Sequence, residues 1–308
     1  MPSPKINMKK AVLLLLVCIV LSPAVSEAQR WKRERYEFSF GAGITNFLGE
    51  LGGANQIGTH YFKDLEWSQS RLALAVGLRY KLSNYFALKS HLTYGRVSGD
   101  DKLTEEFFRN YRNLSFFSDI YEFNVNFEGA FQQEQIGHRY RLRKVRGLRG
   151  YELYTYAFVG VGIFHMDPKA NYQGNIVRLQ PLGTEGQGLV ASRSKYSLFQ
   201  MCIPMGIGFK YTLDRQWGVG LELGIRKTFT DYIDDVSTTY FDFSSYPSAY
   251  DPLAPILADQ SNHSITGSLS PTAPGAQRGD NRKNDTYMFA VFSINYKFSV
   301  GRGNSPRF

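Results

Sequence analysis

Cysteine is nearly absent from this 308-residue chain, which contains two, at Cys18 and Cys202. Long apolar runs are scarce too, and the one at residues 11–21 is short for a bilayer-spanning helix. The net charge of +9 is not accompanied by an RNA-binding signature, zinc-finger spacing or a basic heptad. These absences argue against a disulfide-rich scaffold, a helical membrane protein and a nucleic-acid partner.

The N-terminus has the pattern of a secretory signal peptide. Three lysines precede the apolar run, and the Ser-Glu-Ala sequence that ends at Ala28 supplies the small residues of a cleavage site. We therefore predict a signal peptide over residues 1–28 and one mature domain over residues 29–308. Cleavage would leave Cys202 as the single cysteine, so no intrachain disulfide is expected.

Segments with a period of two recur along the mature chain. In "SRLALAVGLRYKL", residues 70–82, large apolar residues alternate with Ala, Gly, Arg and Lys. Successive side chains of a strand point to opposite faces, so each such segment is predicted to be a strand with one apolar face. Seven segments of this kind begin near residues 36, 70, 86, 121, 199, 217 and 288, and an eighth predicted strand, near residue 151, is apolar on both faces and alternates poorly.

The connections between these segments alternate between short and long. Residues 82–85 and 213–216 are tight turns and residues 132–150 form a moderate one, whereas the other four connections are long. An even strand number with this asymmetry is typical of outer-membrane barrels. We predict an all-β fold, an eight-stranded antiparallel transmembrane β-barrel with long extracellular loops, placed in the outer membrane.

A soluble β-barrel or sandwich with its apolar face inward is the alternative. The second face of the segments disfavours it, because that face repeats Gly and Ala, which weaken a water-exposed strand. Small residues with a few charges suit the narrow interior of an eight-stranded barrel. The apolar face is therefore predicted to contact outer-membrane lipid.

Few residues suggest chemistry inside such a barrel. A lumen filled by side chains has no wide channel, which disfavours a porin. Glu222 and Arg226 lie four apart on the seventh strand and are predicted to form a lumenal charge pair. Ser90 and His91 point to opposite faces and cannot form a dyad, and the histidines lack metal-ligand spacing. We expect no enzymatic activity, no catalytic residues, no cofactor and no metal.

Two charged clusters lie in predicted connections. Asp231, Asp234 and Asp235 follow the seventh strand and are expected to form a solvated acidic rim, with a calcium site as the alternative. The Pro-, Ser- and Gly-rich loop after them is expected to be mobile. A basic cluster in the moderate turn is expected either to contact anionic headgroups or to dock a protein. It consists of Arg139, Arg141, Arg143, Lys144, Arg146 and Arg149.

Four stretches resemble a known family, namely "YEFSFGAGITNFLGELGG" (36–53), "YGRVSGDDKLTEE" (94–106), "LQPLGTEGQGL" (179–189) and "FTDYIDDVSTTYFD" (229–242). They resemble the PorG-like outer-membrane barrels of the type IX secretion system of Bacteroidetes. The resemblance implies an accessory barrel associated with the periplasmic ring of a PorK-like lipoprotein and a PorN-like protein. The expected function is to anchor or position that ring. The alternative is a stand-alone surface protein whose loops act in adhesion or small-solute binding.

Overall fold

The computed structural model describes residues 34–49, 51, 67–132, 153–214, 216–245, 250–265 and 270–298. Its strands are β1 (Tyr36–Phe47), β2 (Arg71–Lys81), β3 (Phe86–Asp100), β4 (Ser115–Ala130), β5 (Leu153–His165), β6 (Pro168–Tyr172), β7 (Asn175–Arg178), β8 (Phe199–Thr212), β9 (Trp217–Thr228) and β10 (Thr286–Phe298). Its α-helices are α1 (Phe107–Arg112), α2 (Leu179–Leu182) and α3 (Leu253–Ala258), and single 3-10 turns lie at Trp67–Gln69, Asp101–Leu103 and Phe243–Ser245. Within these ranges, no helix has the length and apolar character needed to cross a membrane.

Eight of the ten described strands form a closed antiparallel barrel. Their order is β3-β2-β1-β10-β9-β8-β5-β4, and β3 also pairs with β4, which joins the two ends of the sheet. The first and last strands pair along their full length, from Tyr36 opposite Phe298 to Phe47 opposite Tyr287. Each barrel strand is therefore hydrogen-bonded on both sides, as closure requires. The predicted eight-stranded antiparallel barrel is confirmed.

The apolar face of the strands points out of the barrel. On β2, Leu72, Leu74 and Leu78 are exposed, whereas Ala73 and Ala75 between them are buried in the interior. The same outward apolar rows occur on the other barrel strands, giving an exposed apolar surface far larger than the patches of soluble monomers. The predicted outward direction of the apolar face is confirmed, and the soluble alternative, which needs this face inside, is wrong.

Aromatic side chains mark both ends of this apolar band. Trp217 packs against Tyr296 at the turn end with ring centroids 4.8 Å apart, and Tyr94 packs against Tyr121 at the long-loop end with centroids 5.2 Å apart. On β3 the band runs from Phe86 to Tyr94, about 26 Å along the strand. At the usual strand tilt this is roughly 20 Å along the barrel axis, near the height of a lipid-facing band.

The long connections fold into a cap at one end of the barrel. The cap is defined here as residues 101–114, 166–198, 229–245, 250–265 and 270–285. β3 and β4 continue beyond the band as a paired extension that ends at Asp100 opposite Ser115. The hairpin of β6 and β7 joins this extension, with Lys169 opposite Phe117 on β4. The cap thus continues the sheet of the barrel on its β3–β4 side.

The Pro- and Ser-rich connection before β10 is part of the cap core. α3 buries Ala254 and Leu257, and Arg278 farther along the same connection is 3% exposed. This is the loop that its composition predicts to be mobile, and several of its described residues are packed in the cap core. Ala254, Leu257 and Ala258 are buried because they pack against segments from the other long connections.

Candidate functional site

The lumen of the barrel is filled by charged side chains that pair across it. Arg79 on β2 lies 2.5 Å from Glu128 on β4 and 3.9 Å from Glu37 on β1, and Lys210 on β8 pairs with Glu37 from another side. These four side chains are at most 3% exposed, so they pack against neighbouring groups of the lumen rather than against water. Buried charges of this kind persist only when they are paired, which explains why opposite charges alternate around the interior.

Glu222 and Arg226 both face the lumen, but their ion pairs are with other residues. Glu222 lies 2.6 Å from Lys89 and 3.7 Å from His91, both on β3, while Arg226 lies 3.3 Å from Glu122 on β4. Residues four apart on a strand are separated by about 13 Å along it, too far for a direct pair. The predicted pairing is therefore corrected: each residue is neutralised by a strand elsewhere in the barrel.

Apolar side chains occupy the lumen between these charges and the cap. Phe164, Tyr287 and Phe289 are buried there, and the Tyr287 ring lies 5.4 Å from that of Phe164. Cys202 is buried, and its sulfur lies 3.9 Å from the Tyr287 hydroxyl. The loop end of the lumen is thus closed by packing rather than by charge.

Serine and histidine on β3 do not form a catalytic pair. His91 is buried in the lumen, whereas Ser90 faces outward and its hydroxyl donates to the carbonyl of Leu78 at 3.4 Å. The two side chains lie on opposite faces of the strand, as the period of two predicts. Among the described residues, no group of three or more His, Cys, Asp or Glu side chains could hold a metal ion.

The three aspartates after β9 are buried inside the cap. Asp231, Asp234 and Asp235 are 7%, 1% and 0% exposed, so the expected solvated rim is wrong. Hydroxyl groups of Thr184 and Tyr196 donate to the Asp235 carboxylate, the latter at 2.6 Å. Asp234 accepts backbone N–H groups from its own turn and from the connection after β1. Thr184, Tyr196 and Leu51 donate from other connections, which sequence spacing within one loop does not reveal.

Arg278 holds the two longest connections of the cap together. Its guanidinium lies 2.9 Å from the Glu185 carboxylate and 3.9 Å from that of Asp235, and it also donates to the carbonyl of Ala258. Glu185 accepts further hydrogen bonds from the backbone and hydroxyl of Thr238. Arg278 and Glu185 are 93 positions apart and both fully buried. No motif or spacing in the sequence indicates this pair.

A second buried ion pair connects α1 to the same cluster. Arg112 contacts the two carboxylate oxygens of Asp101 at 2.7 and 3.0 Å, and its guanidinium also donates to the carbonyl of Arg278. Asp101 has no exposed surface and also accepts the N–H of Leu114. Three of the long connections are therefore joined through charge-assisted hydrogen bonds, which are stronger than neutral ones.

The buried Asp235 carboxyl predicts a pH dependence of cap stability. Burial raises the pKa of Asp235 to about 6, against the lowering effect of Arg278. An unfolded Asp titrates near 3.9, so between about pH 4 and 6 the folded cap binds more protons and its stability falls as the pH rises. We expect protease cleavage of the cap to become faster in the wild type, relative to the Asp235→Asn variant, as the pH rises from 4 to 7. The measurement is the ratio of the two cleavage rates. A ratio that is flat across this window would contradict the assignment.

Two predicted features lie outside the described residues. These are the signal peptide of residues 1–28 and the basic cluster of Arg139, Arg141, Arg143, Lys144, Arg146 and Arg149. The strands on either side of the basic cluster are described: β4 ends at Ala130 and β5 begins at Leu153. The end of β4 and the start of β5 lie at the turn end of the barrel, opposite the cap.

No family model and no curated protein matches the chain. Among solved structures, the chain is similar to Ail, the attachment invasion locus protein of Yersinia pestis, in complex with the heparin analogue sucrose octasulfate. The sequence identity is 7%, the match covers 86% of this chain and 99% of that chain, and the TM-score is 0.37. Neisserial surface protein A has 9% identity, coverage of 85% and 97%, and a TM-score of 0.37. Outer membrane protein AlkL, solved in DMPC bilayers, has 13% identity, coverage of 91% and 97%, and a TM-score of 0.34. None of these similarities identifies a function for this chain.

Proposed function

We propose that the chain is a non-enzymatic outer-membrane barrel that anchors or positions the periplasmic ring of a type IX secretion machine. The observation that carries the proposal is the closed lumen. Paired charges fill the interior, apolar side chains close its loop end, and the cap covers that end. A barrel without a conducting interior acts through its surfaces, which suits an anchor better than a transporter.

The orientation of the barrel follows from the proposed export route. An N-terminus left in the periplasm by signal-peptide cleavage places the start of β1 and the turn end there, and it places the cap outside the cell. The turn after β2 is tight, with the N–H of Leu82 donating to the carbonyl of Phe86. The turn after β8 is equally short. A periplasmic partner then has the termini and the connection between β4 and β5 as its main contact surfaces.

The resemblance to PorG-like barrels supports the identity of the partners. We propose a PorK-like lipoprotein and a PorN-like protein of the ring, together with outer-membrane lipid around the barrel. The basic cluster is the proposed dock, because arginine forms bidentate bonds with partner carboxylates.

Reversing four charges of the basic cluster tests this dock. Arg141, Arg143, Lys144 and Arg146 changed together to Glu are expected to remove the ring proteins from a mild-detergent pull-down and to reduce secretion. Exposed ion pairs contribute roughly 0.2–1 kcal/mol each, so a single change is expected to have little effect. The measurement is quantitative mass spectrometry of the co-purified proteins at physiological salt.

A matched control changes the same amount of charge on the cap. Lys102, Lys195, Arg282 and Lys283 are exposed there, and their joint change to Glu is expected to leave the ring association intact. If the ring proteins co-purify with the basic-cluster variant in near-normal yield, the cluster contacts only lipid headgroups, and the dock lies at the termini. Loss of the ring in the cap variant would contradict a periplasmic dock.

The second candidate is a stand-alone surface protein that acts through its loops in adhesion or small-solute binding. The exposed aromatic pair of α1 favours it: Phe107 and Phe108 are 57% and 63% exposed with ring centroids 5.4 Å apart. Aromatic residues are enriched at binding surfaces. The same pull-down separates the candidates, since a stand-alone protein is recovered without ring proteins.

A further inference from the structure

Three cations form a row across the outside of the sheet where the barrel meets the cap. Arg96 on β3 lies 2.7 Å from Asp119 on β4, Lys169 on β6 lies 3.4 Å from both Asp119 and Asp167, and Arg178 on β7 lies 2.9 Å from Asp167. Arg96 is directly opposite Asp119, and Lys169 is directly opposite Arg178. Arg96, Lys169 and Arg178 are called the basic row below.

The basic row lies just beyond the lipid-facing band. Leu92, Tyr94 and Arg96 alternate along β3 and therefore share its outward face. Arg96 is two residues past the aromatic end of the band, about 7 Å along the strand. Aromatic belts mark the boundary between hydrocarbon and headgroups. A side chain at this height on this face therefore meets lipid headgroups.

The exposed part of the row is positive. The side chains of Arg96 and Arg178 are 45% and 53% exposed, whereas those of Asp119 and Asp167 are each 14% exposed. The carboxylates thus lie behind the guanidinium groups and hold them in place, and an approaching group meets cations first.

The β6–β7 hairpin keeps two of the three cations directed outward. Its other face, with Ala170, Tyr172 and Val177, packs against the buried core of the cap and upper barrel. Alternation along a strand then places Lys169 and Arg178 on the opposite, outward face. A side chain fixed in this way loses little further entropy when it binds a ligand.

We propose that Arg96, Lys169 and Arg178 bind the phosphate groups of a phosphorylated lipid of the outer leaflet. Guanidinium groups match phosphate oxygens bidentately, and the lysine adds a point charge between them. Four neighbouring strands carry the row over about 14 Å, so it can contact more than one phosphate. This inference rests on the proposed placement of the cap end outside the cell, and it is independent of the ring partners.

Binding of lipid A to the purified mature protein in mild detergent tests the proposal. The triple variant Arg96→Gln, Lys169→Gln, Arg178→Gln is expected to bind bisphosphorylated lipid A on the order of a hundredfold more weakly at low salt. This figure follows because each cation at an anionic surface strengthens binding about fivefold. The control Lys102→Gln, Arg282→Gln, Lys283→Gln removes the same charge from other exposed sites and is expected to bind normally. Native mass spectrometry measures the retained lipid.

Comparison of lipid forms identifies the group that is recognised. Dephosphorylated lipid A is expected to bind the wild type no better than the triple variant does. Equal binding of both lipid forms, or undiminished binding by the triple variant, would overturn the proposal. Preferential binding of inorganic phosphate, without binding of lipid A, would assign the row to a soluble anion and also overturn it.

Two further measurements keep the outcome interpretable. The double variant Lys169→Gln, Arg178→Gln changes the hairpin alone, leaves every barrel strand unaltered, and is expected to weaken lipid A binding about thirtyfold. Boiled and unboiled samples compared on a denaturing gel report whether each barrel is closed. A closed wild-type barrel that does not bind lipid A overturns this inference alone, whereas a chain that forms no barrel in detergent overturns the proposed function.

Discussion

Arg278→Met is expected to open the cap while the barrel remains closed. Removing one partner of a buried ion pair costs about 3–5 kcal/mol, because the other charge stays buried without compensation. In this case Glu185 and Asp235 would be left facing each other inside the cap. We expect protease cleavage in the connection between β9 and β10 to accelerate by two orders of magnitude or more. Heat-dependent migration of the barrel on a gel is expected to be unchanged.

Two controls separate charge from packing in this experiment. Lys283 is an exposed cation in the same connection, paired with Asp280 at 3.8 Å, and Lys283→Met is expected to leave cleavage unchanged. Adding Glu185→Leu to Arg278→Met removes one of the two uncompensated carboxylates and is expected to recover part of the protection. Recovery stays partial because Thr238 then loses its acceptor. An Arg278→Met variant with wild-type cleavage would show that the buried pair does not stabilise the cap.

Leu74→Arg is expected to impair barrel assembly. Leu74 is exposed on the outer surface of β2, between Ala42 of β1 and Tyr94 of β3, and so lies within the lipid-facing band. An arginine on the lipid face costs about 2–4 kcal/mol at the bilayer midplane and less toward the aromatic boundary, to which Leu74, opposite Tyr94, is close. The measurement is the fraction of protein that migrates as a folded species in unboiled samples after refolding into lipid. Closed barrels resist unfolding by detergent because their strands have no unpaired edges.

The neighbouring residue provides the matched control. Ala75 is 8% exposed and faces the lumen, with Thr93 opposite it on β3. Ala75→Ser is expected to have a mild effect because serine adds a single hydroxyl group at a position opposite Thr93. Equal defects in the two variants, or a larger one in Ala75→Ser, would contradict the assignment of the two faces.

The alternation of residues in the sequence is sufficient to specify the barrel strands and their faces. The segment of residues 70–82 corresponds to β2 (Arg71–Lys81), and its apolar residues face outward as predicted. The prediction succeeds because side-chain direction in a strand is a local property with a period of two. The fourth strand was predicted from Tyr121 but begins at Ser115. Its first residues pass beyond the lipid, and their outward face no longer needs to be apolar.

The charge partners and the cap depend on tertiary structure. Arg226 pairs with Glu122, 104 positions away, because closure brings β9 and β4 to face each other across the lumen. Asp235 is buried because Thr184 and Tyr196 reach it from another connection. Composition describes a Pro- and Ser-rich loop in isolation and carries no information about the long-range partners that bury it. Pairing across a closed barrel is set by strand order and register, and these are properties of the whole chain.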